Sequence, residues 1–217
     1  MEIRSLFDLS HSMAGEYLER FVYPWEALSG LSEWIVGKQR ALSEDYEERA
    51  PGVFVHRTAR VSPSACLLPP CIVGAEAEIR QCAFIRGSAV IGEACVVGNS
   101  SEIKNAILFD GAQVPHFNYV GDSILGFRAH MGAGAITSNI KSDRTPIVVR
   151  TEQGAIPTGR RKFGAAIGDL AEIGCNAVLN PGSIVGRGSS VYPLTCLRGV
   201  IPEGSIVKTD GTVVKRK

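Results

Sequence analysis

The stretch VGAEAEIRQCAFIRGSAVIGEACVVGNSSEI, residues 73–103, carries an aliphatic residue at every sixth position. The same spacing starts earlier in the chain and covers nine consecutive positions, namely Val55, Val61, Leu67, Val73, Ile79, Ile85, Ile91, Val97 and Ile103. A small residue follows four places after most of them, at Ala59, Ala65, Cys71, Ala77, Ala83, Ala89, Cys95 and Ser101, until Ile107 ends the series. Helices repeat every 3.6 residues and strands every 2, so this spacing indicates a short strand followed by a turn.

The six-residue spacing predicts an all-β fold, a parallel β-helix built from hexapeptide repeats. Three strand-and-turn units close one triangular coil, and stacked coils place each aliphatic residue above its counterpart eighteen residues earlier. Glycines after aliphatic positions, such as Gly74, Gly92 and Gly98, suit a backbone that bends sharply. The pattern returns at Ile167, Ile173, Leu179, Val185 and Val191. We therefore assign the β-helix to residues 51–207.

Three segments fall outside the repeat. Residues 1–50 are predicted to be helical and to pack on the flank or base of the coil, with apolar faces formed by Met13, Tyr17, Leu18, Phe21 and Val22 and, after Pro24, by Trp25, Leu28, Leu31, Trp34 and Ile35. Residues 140–166 form an inserted loop, punctuated by proline and glycine, with a small hairpin at residues 147–150. Residues 208–217 form a basic C-terminal tail, which we interpret as a solvated, frayed end.

Composition excludes several classes of function. The 217 residues are 45% hydrophobic, and 23 basic side chains balance 22 acidic ones, so the net charge of +1 does not favour nucleic-acid or membrane partners. No apolar run is long enough to span a membrane, and the start MEIRSLFDLS does not read as a signal peptide, so we expect a cytoplasmic protein. The six cysteines lack paired spacing and are expected to be free, buried thiols.

A packed coil leaves only its outer faces, or the space between copies, for a ligand. The stretch VPHFNYVGDS, residues 114–123, interrupts the six-residue pattern with polar residues. The outward-pointing polar candidates near this break and the next are Arg86, Lys104, His116, Asn118, Tyr119, His130 and Asn139. We expect a binding or catalytic site among them.

The stretch SSEIKNAILFDGAQVPHFNYVGDSILGFRAHMGAGAITSNI, residues 100–140, resembles a known acetyltransferase domain. It is similar to that of the bifunctional glucosamine-1-phosphate N-acetyltransferases and N-acetylglucosamine-1-phosphate uridyltransferases, also named UDP-N-acetylglucosamine pyrophosphorylases. GRRKFGAAIGD, residues 159–169, is closer to the archaeal sugar-1-phosphate nucleotidylyltransferase/acetyltransferase type. The resemblance covers about residues 80–200. It implies a left-handed coil, a homotrimer, and transfer of an acetyl group from acetyl-CoA to an amino sugar 1-phosphate.

The resemblance also implies catalytic roles. His116 matches the general base that takes a proton from the attacking amine, and an imidazole with an ordinary pKa of about 6.5 is largely neutral near pH 7. Asn139 matches a residue that orients the amine, although a turn role is the alternative. The backbone N–H of Ala133 matches a donor to the thioester carbonyl, where an oxyanion develops. No metal is required for this reaction.

Further residues match binding positions. Arg86 and Lys104 match cations that hold the phosphate, and Tyr119 matches a sugar-phosphate contact; their alternatives are solvated charges and an aromatic lid over the coil edge. His130 stands where the bacterial enzyme has a sugar-binding asparagine, and Ile140 replaces a tyrosine, so the identity of the amino sugar stays open. The positions that match contacts to CoA are Lys162, Cys175 and Pro193, the last two of which could equally be core or turn residues.

The sequence also bears on three other functions. Residues 1–50 do not resemble the glycine-rich start of a uridylyltransferase domain, so we expect no uridylyltransferase activity. A γ-type carbonic anhydrase needs three histidines around one zinc, but the histidines here are at positions 11, 56, 116 and 130, without the usual spacing. A non-catalytic module that binds sugar nucleotides or scaffolds an assembly remains the main alternative to an enzyme.

Overall fold

A computed structural model describes residues 1–216 and contains the expected parallel β-helix, with about nine coils. Each coil has three sides, which we call face 1, face 2 and face 3 in chain order. The arrangement is consistent with the left-handed β-helix that the resemblance implies. Strands on each face pair in parallel with those of the coils above and below.

The strands of face 1 form a nine-stranded sheet: β3 Arg60–Val61, β6 Glu78–Ile79, β9 Val96–Asn99, β11 Gln113–His116, β13 His130–Met131, β18 Glu172–Ile173, β21 Ser190–Val191, β24 Ser205–Val207 and the antiparallel β25 Val213–Lys215. Face 2 contains β4 Cys66–Leu68, β7 Phe84–Arg86, β14 Ile136–Thr137, β19 Val178–Leu179 and β22 Cys196–Leu197. Face 3 contains β2 Val53–His56, β5 Cys71–Val73, β8 Ala89–Ile91, β17 Ala165–Ile167, β20 Ser183–Val185 and β23 Val200–Ile201. Two longer strands, β10 Glu102–Leu108 and β12 Tyr119–Leu125, run around the corner from face 2 to face 3.

The aliphatic positions of the six-residue pattern fill the interior of the coil. Ile79, Ile85, Ile91, Val97 and Ile103 are each at most 1% exposed. Val61 and Leu67, in the first coil, are only partly buried against the same core. Burial of these aliphatic side chains in every coil supplies the hydrophobic driving force for stacking. The predicted inner column is therefore confirmed.

The glycines that follow the aliphatic positions have a different role from the one predicted. Gly74, Gly92 and Gly98 are not at left-handed corners, which are occupied instead by residues such as Glu76 and Cys82. A Cβ on Gly98 would overlap the carbonyl oxygen of Pro115 in the next coil. These glycines therefore allow close approach of stacked backbones.

The six-residue pattern fails near Ile107 because two corners are one residue short. Lys104 pairs with Gly121 and Ala106 with Ser123, seventeen residues on in each case, whereas the coil before repeats after eighteen. Asn105 stands at the shortened corner, as Asp122 does one coil later, and both have left-handed backbone with φ of 48°. Ile107 itself points outward and is fully buried.

The N-terminal segment covers face 3, so its predicted packing on the flank of the coil is confirmed. It contains four short helices and a 3₁₀ helix: α1 Ile3–Leu6, the 3₁₀ helix Leu9–His11, α2 Gly15–Leu18, α3 Pro24–Ala27 and α4 Leu31–Gln39. Trp25, Leu28 and Ile35 pack in one cluster with outward residues of face 3 such as Ile107 and Ile124. The segment is not helical throughout, since β1 Tyr46–Ala50 pairs antiparallel with β2. Val22, expected on an apolar face, is 52% exposed.

The inserted loop contains an antiparallel hairpin, β15 Val148–Thr151 and β16 Gly154–Pro157, which is longer than the sequence predicts. The tail is not frayed over residues 213–215, which form β25 and pair with β24; Lys217 lies outside the described residues.

All six cysteines are free thiols, but only Cys71 and Cys95 are buried. Across residues 1–216, each helix is too short or too polar to cross a bilayer.

Candidate active site

The register of face 1 brings several predicted site residues into one column. Gln113 pairs with His130, so His116 and Ala133 occupy equivalent positions three residues later in successive coils. Met131, Ile173 and Val191 are paired in the coils that follow, which aligns Ala133, Cys175 and Pro193 two residues further on. Stacked strands are about 4.8 Å apart, so this column, which we call the corner column, extends about 14 Å from His116 to Pro193.

The side chain of His116 is exposed at the end of β11. The backbone of His116 is held in place by Asn118, because the N–H of His116 donates to Oδ1 of Asn118 at 3.0 Å. Asn118 was expected to point outward, but it is only 3% exposed, and its amide donates to the carbonyls of Gly132 and Ala135 at 2.8 and 3.0 Å. Asn118 therefore fastens the corner that carries His116, and burial is possible because every polar atom of its amide is bonded.

Ala133 lies directly after His116 in the corner column. Its carbonyl accepts a hydrogen bond from the N–H of Asn176 at 2.8 Å. Its own N–H has no partner among residues 1–216, so a backbone donor is available at this corner. Cys175 and Pro193, the next two members, are both exposed. A Cβ on Gly132 would lie 2.7 Å from the N of Cys175, which shows how closely the coils stack here.

A second group, which we call the face 2 cluster, surrounds the carboxylate of Asp122. Asp122 is 2% exposed and accepts hydrogen bonds from Lys104 at 3.0 Å, Asn105 at 2.8 Å and Asn139 at 2.6 Å. Asn105 also donates to the carbonyl of Leu28 at 3.3 Å, so the helical segment reaches this cluster. A buried carboxylate needs such donors, and here they come from the coils on either side of Asp122.

Tyr119 joins Asn139 at the edge of the face 2 cluster. The hydroxyl of Tyr119 accepts a hydrogen bond from the amide of Asn139 at 3.2 Å. Burial raises the pKa of Tyr119 above its ordinary value, with the carboxylate of Glu102 adding to the effect. The phenol is therefore protonated at neutral pH and can donate a hydrogen bond. Asn139 is itself 9% exposed, so its amide is held rather than free.

Both predicted phosphate-binding cations already have carboxylate partners. Lys104 pairs with Asp122 at 3.0 Å, and Arg86 pairs with Glu102 at 2.9 Å. Arg86 and Lys104 occupy equivalent positions in neighbouring coils of face 2. They present two positive charges side by side, and each carboxylate fixes the position of its cation.

Sequence reasoning gave no role to Asp122 or Arg160. Asp122 lies in VPHFNYVGDS, residues 114–123, and its charge within a run of small and aliphatic residues was the available signal. Arg160 is half-buried near Asp122; burial lowers the pKa of its guanidinium, and Asp122 opposes that effect. Its Nε donates to the carbonyl of Lys162 at 3.3 Å. No sequence signal distinguished Arg160 from other basic residues of the loop.

Two predicted site residues, His130 and Lys162, lie in neither the corner column nor the face 2 cluster. His130 lies on face 1, where its Nδ1 is 2.9 Å from Oε2 of Glu172. Lys162 is exposed on the inserted segment, after the hairpin. Neither side chain forms a hydrogen bond with Tyr119 or Asn139 in the described residues.

The remaining histidines lie elsewhere. His11 stacks on Phe127 with ring centroids 3.8 Å apart, and His56 is hydrogen-bonded to Thr58 at 2.9 Å. Within residues 1–216, no group of three or more histidine, cysteine, aspartate or glutamate side chains is arranged to hold a metal ion.

Comparisons with known proteins were made for the sequence and for the fold. A family profile described as the GMPPB C-terminal domain matches residues 67–148. The chain is 31% identical over 200 residues to the bifunctional protein GlmU of Methanococcus maripaludis, a match that covers 90% of this chain and 48% of that protein. It therefore spans about half the length of this relative. Among solved structures, it is similar to the acetyltransferase domain of PglB from Neisseria gonorrhoeae in complex with acetyl coenzyme A, with 20% identity, a TM-score of 0.32, and coverage of 73% of this chain and 55% of that one.

The family of this chain is shown by a relative that the match covers over more than two thirds of its length. The uncharacterized acetyltransferase YaiX of Escherichia coli strain 536 is 31% identical over 159 residues, which cover 73% of this chain and 69% of YaiX. The repeat and the coil that it forms extend over most of this chain. The chain thus belongs to the acetyltransferase family of YaiX and folds as a hexapeptide-repeat β-helix.

Proposed function

We propose that the protein is an acetyl-CoA-dependent N-acetyltransferase whose acceptor is an amino sugar 1-phosphate, such as glucosamine 1-phosphate. The observation that carries the proposal is the corner column, in which the exposed imidazole of His116 stands one coil from the unbonded N–H of Ala133. The face 2 cluster begins only three residues after His116, at Tyr119. A base, an oxyanion donor and polar groups for a sugar are thus close together.

In the proposed reaction, the amine nitrogen of the sugar attacks the carbonyl carbon of the thioester. His116 takes a proton from that nitrogen, and the N–H of Ala133 donates to the carbonyl oxygen as it becomes negative. When the carbon–sulfur bond breaks, the thiolate leaves and receives a proton from the imidazolium, which restores His116. The products are the N-acetylated sugar phosphate and free CoA, without an acyl-enzyme or a metal.

The acceptor would bind at the face 2 cluster. Arg86 and Lys104 would hold the phosphate, since two fixed cations suit a dianion. Tyr119 would donate to the phosphate or sugar, and Asn139 would orient the amine. Asp122 positions both Lys104 and Asn139 through the bonds described above. His130, together with Ile140, would influence which amino sugar is accepted.

The donor would lie along the corner column. Cys175 and Pro193 are small exposed residues beneath Ala133, which suits a narrow pantetheine arm, and Lys162 would contact the donor from the inserted segment. The exposed apolar side chains of Phe117 and Leu194 lie one residue after His116 and Pro193, at 63% and 70% exposure. They support a homotrimer with the donor groove between protomers. The free cysteines support a cytoplasmic location.

The proposal is tested by incubating the protein with acetyl-CoA and a panel of amino sugar phosphates while the release of free thiol is followed. We expect turnover with at least one acceptor, and a loss of kcat of about a hundredfold or more in His116→Ala. The control is His56→Ala, which removes another partly exposed histidine on the first coil. If wild-type protein releases no thiol with any acceptor, or if His116→Ala is as active as wild type, the proposal is wrong; the first result would favour a non-catalytic binding module.

A further inference from the structure

The inserted hairpin and the coil enclose a cavity on the side of face 2. Its walls include, from the coil and the insertion, Ser138, Asn180, Arg198, Lys141, Asp143 and Arg150. The first three follow one another down face 2, because Thr137 pairs with Leu179 and Leu179 with Leu197. The cavity therefore begins beside the face 2 cluster, since Ser138 and Ile140 flank Asn139, and Arg198 lies about 10 Å, two coils, below Ser138.

The hairpin is held closely against the coil at this cavity. Gly182 and Gly199 stand at corners with left-handed backbone, at φ of 83° and 88°. A Cβ on Gly199 would lie 3.0 Å from the carbonyl oxygen of Arg150, and one on Gly182 would lie 2.9 Å from that of Val148. Because only glycine permits this approach, strand β15 sits directly on the corners, which fixes Arg150 beside the coil.

The charges of the cavity are not balanced. Within residues 1–216, neither Arg150 nor Arg198 forms an ion pair, and Arg198 makes only a 3.5 Å contact to Oδ1 of Asn180. Lys141 adds a third cation, whose ammonium donates to the carbonyl of Pro146 at 2.8 Å. The one carboxylate, that of Asp143, is occupied by the N–H and hydroxyl of Thr145 at 2.9 and 2.8 Å.

A concave surface on face 1 offers a contrast. It is lined by Arg60 and Arg80, but these pair with Glu76 at 3.9 Å and Glu78 at 2.9 Å. Arg60 and Arg80 are thus each neutralised by a carboxylate, as Arg86 and Arg187 are. In the cavity below the hairpin, Arg150 and Arg198 have no such carboxylate partner among the described residues.

We infer that this cavity binds a phosphate or pyrophosphate group through Arg150 and Arg198. The guanidinium group is planar and donates two parallel hydrogen bonds to phosphoryl oxygens, and an anion between the arginines relieves their mutual repulsion. The hydroxyl of Ser138 and the ammonium of Lys141 are further donors on the wall. Which ligand carries the phosphate rests on the proposed function. The phosphate belongs either to the acetyl donor, since CoA carries three phosphates, or to an acceptor sugar linked to a nucleoside diphosphate.

Isothermal titration calorimetry with inorganic pyrophosphate tests the site directly. We expect binding to wild-type protein and a loss of affinity of about tenfold or more in Arg150→Gln and in Arg198→Gln. Arg144→Gln is the matched control, since Arg144 is exposed on the same loop but does not line the cavity. Thermal unfolding of each variant verifies that it is folded. Absence of pyrophosphate binding to wild type, or equal binding by all variants, would overturn the inference.

Titrations with substrates identify the source. If the phosphate belongs to the donor, both arginine variants weaken CoA binding and leave pantetheine binding unchanged. If it belongs to the acceptor, they weaken binding of UDP-glucosamine and leave glucosamine 1-phosphate unchanged. If no acceptor is acetylated but the arginine variants bind pyrophosphate more weakly than wild type, the anion site is still supported. Conversely, turnover by a protein whose variants bind pyrophosphate normally would leave the proposed function intact and refute the anion site.

Discussion

At the scale of single residues, Asp122 is the group on which the face 2 cluster depends. Its carboxylate holds Lys104, Asn105 and Asn139, and through Asn105 it is linked to the helical segment. Since the side chain is 2% exposed, removal of the carboxylate would leave a partly buried ammonium and two amides without their acceptor.

We expect Asp122→Ala to lower the free energy of unfolding by about 3 kcal/mol, because the partners of a buried charge are left uncompensated. Urea denaturation measures this change. Glu102→Ala is the control, because Glu102 pairs with the exposed Arg86 and its removal should have a much smaller effect. Equal stability of the two variants would mean that Asp122 does not organise the cluster.

At the scale of the element, the spacing of stacked coils depends on glycines such as Gly98. A Cβ at this position would overlap the carbonyl of Pro115, the residue before His116. We therefore expect Gly98→Ala to lower the free energy of unfolding by about 2 kcal/mol or more, since one coil must shift against the next. Differential scanning calorimetry gives the change in Tm.

Gly37 provides the control for this substitution. A Cβ on Gly37, in helix α4, would meet no atom within 4 Å. Gly37→Ala should be neutral or stabilise the protein by up to about 1 kcal/mol, because alanine loses less backbone entropy in a helix. A Gly98→Ala variant as stable as Gly37→Ala would show that the coils do not need this close approach.

The same elements show how far the sequence predicts the structure. The inner residues were predictable because each strand contributes an aliphatic side chain at the same point of the repeat, so the six-residue spacing alone locates them. The bonds from Asn118 to Gly132 and Ala135, and from Lys104 to Asp122, were not, since these partners lie fourteen to eighteen residues apart in different coils. The shortened corners at Asn105 and Asp122 disrupt the six-residue spacing. Only the pairing of the strands shows at which corner the coil is one residue shorter. The alignment of His116 with Cys175 likewise depends on the length of the insertion between them.

At the scale of the whole molecule, the exposed apolar residues fall on different corners of the coil. Leu194 follows Pro193 at the end of the corner column, whereas Leu170, which is 54% exposed, lies at the corner between face 3 and face 1. Both leucines have left-handed backbone, with φ of 62° and 59°. They form a matched pair for locating the surface between protomers.

If the corner column faces a neighbouring protomer, a charge at Leu194 should disrupt the assembly. We expect sedimentation of the wild type to give the mass of three chains, and Leu194→Glu to shift it towards one chain, because a carboxylate would be desolvated at the interface. Leu170→Glu should remain trimeric. A monomeric wild type, or a trimer unaffected by Leu194→Glu, would place the donor groove outside any interface at this corner.

Binding of the donor along the corner column is measured most directly by alkylation of Cys175 in the presence and absence of CoA, read by mass spectrometry. Cys82, an exposed thiol at the same corner but two coils above His116 and so outside the column, is the internal control, and Cys71 and Cys95 should stay unmodified because burial raises their pKa to about 12. We predict that CoA slows alkylation of Cys175 and leaves that of Cys82 unchanged. If saturating CoA leaves the alkylation rate of Cys175 unchanged, as it does that of Cys82, the result would contradict a donor groove beside His116.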